Sequence, residues 1–141
     1  MLSRKPYRVF DHTADLGVEI FAKTKEELYT HAAFSVFDLM ADLKDVSPRE
    51  TRKIAVDGTD PEDLLVNYLR EVLYLFNGKR LLLQAFLIDT LNDHHLSGTV
   101  EGDFFDPARH HLKREIKAVT YHNLQILETP EGWRGRVIFD V

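Results

Sequence analysis

Residues 61–77 constrain the fold most. Leu64, Leu65, Tyr68, Leu69, Val72, Leu73 and Phe76 recur at helical spacing and put one broad apolar face on a single helix. Thr59 or Asp60 caps its start and Pro61 takes the first turn. Glu62 and Asp63 sit where the helix dipole favours acids, and Asn77-Gly78 reads as a left-handed C-terminal cap. So wide an apolar face must be covered by another layer. The rest of the chain supplies that layer mostly as strands.

Tyr7 to Phe10 opens a first extended run. From Leu16, Val18, Ile20 and Ala22 alternate with Glu19, Phe21 and Lys23, which is strand periodicity with one partly polar face. Thr24-Lys25-Glu26-Glu27 is a capping box. It introduces a helix over about 25–42, with Leu28, Ala32, Val36, Leu39, Met40 and Leu43 at helical spacing. Phe34 and Phe37 widen that stripe, so this helix is expected to be covered on more than one side. Residues 49–57 read as a strand with Ile54 and Val56 inward. Residues 80–90 and 95–104 read as a hairpin around Asn92-Asp93. Residues 115–127 form one or two extended pieces, and Trp133 to Val141 is the closing strand. The expected class is α+β, two helices on a mainly antiparallel sheet, in a single domain spanning 1–141. Strand-helix-strand occurs twice, over 16–56 and 49–90, which suggests duplicated units.

Net charge is −5, so the molecule as a whole does not attract nucleic acid, and no direct nucleic-acid binding is expected. The chain has no cysteine, which excludes disulfides and thiolate chemistry. No apolar run approaches the roughly 20 residues of a membrane span, and the first residues lack the apolar core of a signal peptide. The expected location is cytoplasmic.

Phosphate-loop, HExxH and GxSxG signatures are absent. Adjacent histidines at His94-His95 and His110-His111 point to opposite faces of extended chain, and read as solvated loop residues rather than a chelating pair. His31, at the edge of a helical stripe, reads as packed or surface histidine. The remaining concentration of chemistry is Asp11-His12-Thr13-Ala14-Asp15, where one strand gives way to the next, together with Phe139-Asp140-Val141. Should the chain ends lie side by side, as termini often do, Asp15, Asp140 and the terminal carboxylate of Val141 would crowd their oxygens together. Such a crowd is costly unless a cation or proton shares it, and hard oxygens suit calcium or magnesium. From spacing alone the leading reading is Asp11 and Asp15 as turn and capping residues, and Asp140 as a solvated strand end. Lys117 could counter the charge, or simply sit on the polar side of a strand.

The chain resembles the archease family. The resemblance rests on Asp-His-Thr-Ala-Asp-Leu-Gly at 11–17, Ala-Ala-Phe-Ser-Val-Phe-Asp-Leu-Met at 32–40, Glu-Ile-Lys-Ala-Val-Thr-Tyr-His at 115–122 and Val-Ile-Phe-Asp-Val at 137–141. It implies a fold of duplicated SHS2-type modules, one set within the other. It also implies a non-enzymatic activator of the RtcB-type tRNA-splicing ligase, one that promotes guanylylation and repeated turnover and broadens nucleotide use. The implied metal site is Asp15, Asp140 and Val141, holding a divalent ion, calcium. Asp11, His12, Lys117 and His122 are implied as partner-binding or supporting residues. The alternatives are a metal-dependent hydrolase using Asp15 and Asp140, and a general chaperone-like binding module.

Overall fold

The computed structural model describes residues 5–12 and 14–141; of Asp11 and His12 it describes the backbone. The elements run β1 (Tyr7–His12), β2 (Asp15–Ala22), α1 (Lys25–Met40), β3 (Glu50–Asp57), α2 (Pro61–Asn77), β4 (Leu81–Leu91), β5 (His95–Phe104), β6 (Ala118–Thr129) and β7 (Gly132–Asp140). The architecture is α+β, and the antiparallel strands divide into two sheets. One has the order β1-β2-β7-β6 and the other β3-β5-β4. The closing strand therefore inserts beside β2, and the two ends of the chain share a sheet.

The helices start as their side chains dictate. Thr24 accepts from the Glu27 amide at 3.1 Å, and Glu27 reaches back to the Lys23 amide at 3.3 Å, one residue beyond the cap. Asp60, not Thr59, caps α2, accepting from the Asp63 amide at 2.8 Å.

Both helix ends differ from expectation. α1 stops at Met40, short of residue 42, because Ala41 turns extended and bridges to Leu112, while the Lys113 amide takes the Met40 carbonyl at 2.7 Å. Gly78 stays right-handed (φ −94°) after α2, and the left-handed residue is Arg80 (φ 61°). Its amide closes on the Phe76 carbonyl at 2.7 Å and its guanidinium lies 4.3 Å from the Phe76 ring centre, so contact with the last helical turn holds a conformation that arginine rarely adopts.

α1 packs against β2 of one sheet and β4 of the other; α2 packs against β6 and against β3 and β4. The helix pair thus joins the two sheets, and α1 is covered on more than one side, with Leu28, Tyr29, Ala32, Ala33, Val36, Phe37 and Met40 all buried. The Tyr29 hydroxyl donates to the Pro61 carbonyl at 2.7 Å, tying α1 to the start of α2. Burial pushes the Tyr29 and Tyr68 phenols far above their ordinary pKa, so both stay neutral.

Candidate functional site

Three hydrogen-bonded ladders bring four strand ends to one edge of the four-stranded sheet. β1 ends and β2 begins with the backbone of His12 opposite that of Asp15. Ala14 has φ 62°, a left-handed conformation that costs an alanine about 1 kcal/mol. β2 pairs with β7 from Leu16 opposite Phe139 onward. One step further in that register sets Asp15 abreast of Asp140. On the far side of β7, Asp140 pairs with Ala118, and the Lys117 amide donates to the Asp140 carbonyl at 2.7 Å. The edge therefore reads His12, Asp15, Asp140, Ala118, with Val141 and Lys117 just beyond it.

Alternation fixes which way the acids point. Leu16 and Phe139 are buried against the helices, whereas Asp15 is half-buried and Asp140 exposed. Cross-strand partners in an antiparallel ladder share a face, so both carboxylates lie on the side away from the core. Val141 is 37% exposed. The structure thus brings Asp15, Asp140 and Val141 together as expected from the two chain ends. Among the described residues, no group of three or more histidine, aspartate or glutamate side chains gathers as a complete metal shell. Among the described residues, the side chains that bring oxygen donors to this edge are the two carboxylates.

The supporting residues divide. Lys117 is exposed, lies just outside β6, and meets Asp140 through its backbone. His122 is exposed on β6, four residues past Ala118, with its amide on the Thr120 hydroxyl at 3.3 Å. The backbone of Asp11 pairs with Leu16, and that of His12 with Asp15; their side chains, and Thr13, lie outside the described residues.

Sequence reasoning missed the side chains that hold the segment 116–121 in place. Three come from α2. Asn77 donates to the Ile116 carbonyl at 3.1 Å, Arg70 to the Val119 carbonyl at 3.2 Å, and Asp63 accepts from the Tyr121 hydroxyl at 2.7 Å. Arg70 also lies 4.8 Å from the centre of the Tyr121 ring. The hydrogen bond from Tyr121 is the main reason the Asp63 carboxyl lies below its usual range, helped by the Thr59 amide. β6 needs such a clamp because its pairing with β7 breaks between Thr120 and Gln125, where Asn123 turns left-handed (φ 52°). The i, i+7 spacing of Asp63, Arg70 and Asn77 on one side of α2 was the available signal, but it looks like an ordinary polar face.

His110 corrects the reading of the loop histidines as solvated. It is 5% exposed, its Nδ1 accepts from the Asp106 amide at 2.9 Å, and its Nε2 is buried with no partner among the described residues. The loop after β5 doubles back so that this ring packs 6.2 Å from that of Phe105. His94 and His111 are exposed, and His95 is half-buried against Asp57.

Comparison with known proteins agrees across sequence and fold. A model of the archease protein family matches residues 7–141. The protein archease of Methanosarcina barkeri is 34% identical over 97% of either chain, and that of Thermococcus gammatolerans is 35% identical over 94% of this chain and 96% of its own. The solution structure of Methanobacterium thermoautotrophicum protein 1598 superposes with a TM-score of 0.82 at 32% identity, covering 98% of this chain and all of that one. A crystal structure from Thermotoga maritima, described as an archease and possible chaperone, shares the fold with a TM-score of 0.66 at 22% identity.

Proposed function

This chain belongs to the archease family, and from that premise we propose that it is a non-catalytic activator of an RtcB-type RNA ligase in the cytoplasm, promoting the ligase's guanylylation and repeated turnover. The observation that supports this most is the acidic edge, where the strand register sets Asp15 beside Asp140 and delivers Val141 to the same place. Such an edge suits a partner whose own site is basic because it binds RNA.

The donor set fits a hard divalent cation, calcium first: the Asp15 and Asp140 carboxylates and Val141 would hold it, and the ligase or water would complete its shell. When bound, the ion would supply positive charge that lets the acids stay close. The chain's own residues do the rest. Asp140 is fixed by the Lys117 amide, and Lys117 in turn by the α2 clamp. A rigid edge of this kind favours the ligase conformation that reacts with GTP only by binding it more tightly than the others.

The test is a guanylylation time course of the ligase from the same source with labelled GTP and metal, with and without this protein, then with Asp15→Ala. A gain that the variant loses supports the proposal. A gain that the variant keeps moves the working surface elsewhere, and no gain removes the activator role. The description of the Thermotoga maritima protein favours a second reading, a chaperone-like module. That reading predicts binding to many unfolded clients and indifference to Asp140.

A further inference from the structure

The outward face of the four-stranded sheet continues below the acidic edge, and its chemistry reverses sign. The registers set Phe10, Gly17, Ile138 and Thr120 in one row, Arg8, Glu19, Arg136 and Gln125 in the next of that face, and Phe21, Arg134 and Leu127 in the one after. The Phe10 ring lies across Gly17, where any Cβ would collide with it. The Arg136 guanidinium stacks 4.5 Å from the Phe10 centre, and Arg134 lies 5.5 Å from that of Phe21. Glu19, the one carboxylate in these rows, is 7% exposed and bonded to Arg8. Arg134 and Arg136 have no carboxylate within ion-pair distance among the described residues. They are two residues apart on one strand, hence about 7 Å, comparable to the spacing of phosphates along an extended single strand.

Two clefts flank Arg134 and Phe21, of about 490 and 700 Å³, each large enough for a nucleotide-sized group. The second runs past the end of the sheet to Trp133, His31 and Lys23 and also carries the acids Glu27 and Glu131. Guanidinium groups held over aromatic rings keep a planar cation for a base to stack on and a fork of donors for a phosphate. An acidic protein segment would use the charge but not the stacked planes, so nucleic acid fits better. The net charge of −5 averages this face with acids elsewhere and so conceals it.

We propose that the outward face of the four-stranded sheet binds single-stranded RNA, with Arg134 and Arg136, held over Phe21 and Phe10, taking the backbone and the two clefts that flank Phe21 taking bases. Binding is a property of the isolated chain; the choice of RNA over DNA rests on the ligase reading above. With the acidic edge at the ligase, the strand being joined would run down this face.

The test is fluorescence anisotropy of the full chain with a labelled, unstructured 12-nucleotide RNA, titrated at about 50 and 200 mM salt, where non-specific affinities weaken steeply. Micromolar binding is expected at the lower salt. Arg134→Glu with Arg136→Glu should weaken it at least tenfold. The glutamine pair, a second variant in case the first fails to fold, should flatten the salt slope by about 1.4, because two phosphates are no longer neutralised. Lys53→Glu with Lys79→Glu changes the net charge equally but lies off this face, and should leave RNA affinity within about twofold of wild type. Absence of RNA binding to the wild-type chain would overturn the proposal. So would equal losses from both charge reversals, or displacement by polyglutamate as readily as by RNA, which would assign the face to an acidic protein. DNA of the same sequence binding more tightly than RNA would overturn the choice of RNA. The guanylylation assay contains no RNA substrate, so failure of the ligase reading and failure of this one are read separately.

Discussion

Two corners of the molecule carry similar residues and treat them differently. At the turn between β4 and β5, Asp57, Asn92, Asp93, His94 and His95 lie together, and nearly every polar group is answered. Asp57 pairs with His95 at 2.7 Å, the Asn92 side chain accepts from the amides of His94 and His95, and Asp93 is bonded to Lys25 at 2.8 Å. At the edge formed by β2 and β7, Asp15 and Asp140 stand side by side, and the Asp140 carboxylate has no hydrogen bond or ion pair among the described residues. Internally neutralised acids shape a turn. Asp140, an outward-facing acid with no such partner among the described residues, is open to something beyond the chain, which is why the second corner, rather than the richer first one, carries the functional proposal.

The sharpest way to break this contrast is to remove the exposed acid. Asp140→Ala should abolish ligase activation, a loss of at least about tenfold in guanylylation rate, equivalent to about 1.4 kcal/mol of coupling. Its melting temperature should move by no more than about 2 °C, because surface substitutions away from packed features stay within about 0.5 kcal/mol. Activation surviving intact in Asp140→Ala would erase the distinction between the corners.

A thermal shift with calcium is the next largest effect. An ion bound at the edge at about 100 times its Kd should add about 2.7 kcal/mol, or about 8 °C, to the wild-type chain and much less to Asp15→Ala. Equal shifts in both would place the ion elsewhere. Asn77→Ala follows. Loss of its bond to the Ile116 carbonyl should cost about 1 kcal/mol, about 3 °C, and partly reduce activation by loosening Lys117 and hence Asp140. A destabilised variant with full activation would show that the clamp serves stability alone.

Much of this was legible in the sequence, and the limits have physical causes. Local signals reported themselves: the Thr24 and Glu27 box, the Pro61 start, the Asn92-Asp93 turn and the periodicity of α2 all appear where their spacing puts them. The meeting of Asp15 with Asp140 was legible only as a conditional, because a ladder between residues more than a hundred positions apart leaves no local trace. The division into two sheets was hidden for the same reason. Arg80 in place of Gly78 as the left-handed residue, and His110 in place of a solvated ring, both depend on the loop after β5 folding back onto Phe76 and Phe105, which lies outside any local window. The arginines of β7 drew no reading from the sequence, because only the register shows that the rings supporting them lie on β1 and β2.

The smallest effects belong to the neutralised corner, and they sharpen the comparison from its other side. His95→Ala should cost about 0.5 kcal/mol, the low end for a side-chain hydrogen bond because this one is exposed, and leave activation unchanged. Acid pH probes the same corner. The hydrogen bond and charge of Lys25 hold the Asp93 carboxyl below its usual range, so the unfolded chain binds more protons there than the folded one. The contribution is therefore complete above the ordinary carboxylate range and lost as pH falls through the lowered folded value. Melting temperatures followed from pH 7 to about 3 should fall for the wild-type chain, and Asp93→Asn should start slightly lower and fall less steeply. Because Lys25 stands at the start of α1, the same substitution reports whether that corner anchors the helix, and identical acid limbs in the two proteins would remove Asp93 from the account of how its charge is held.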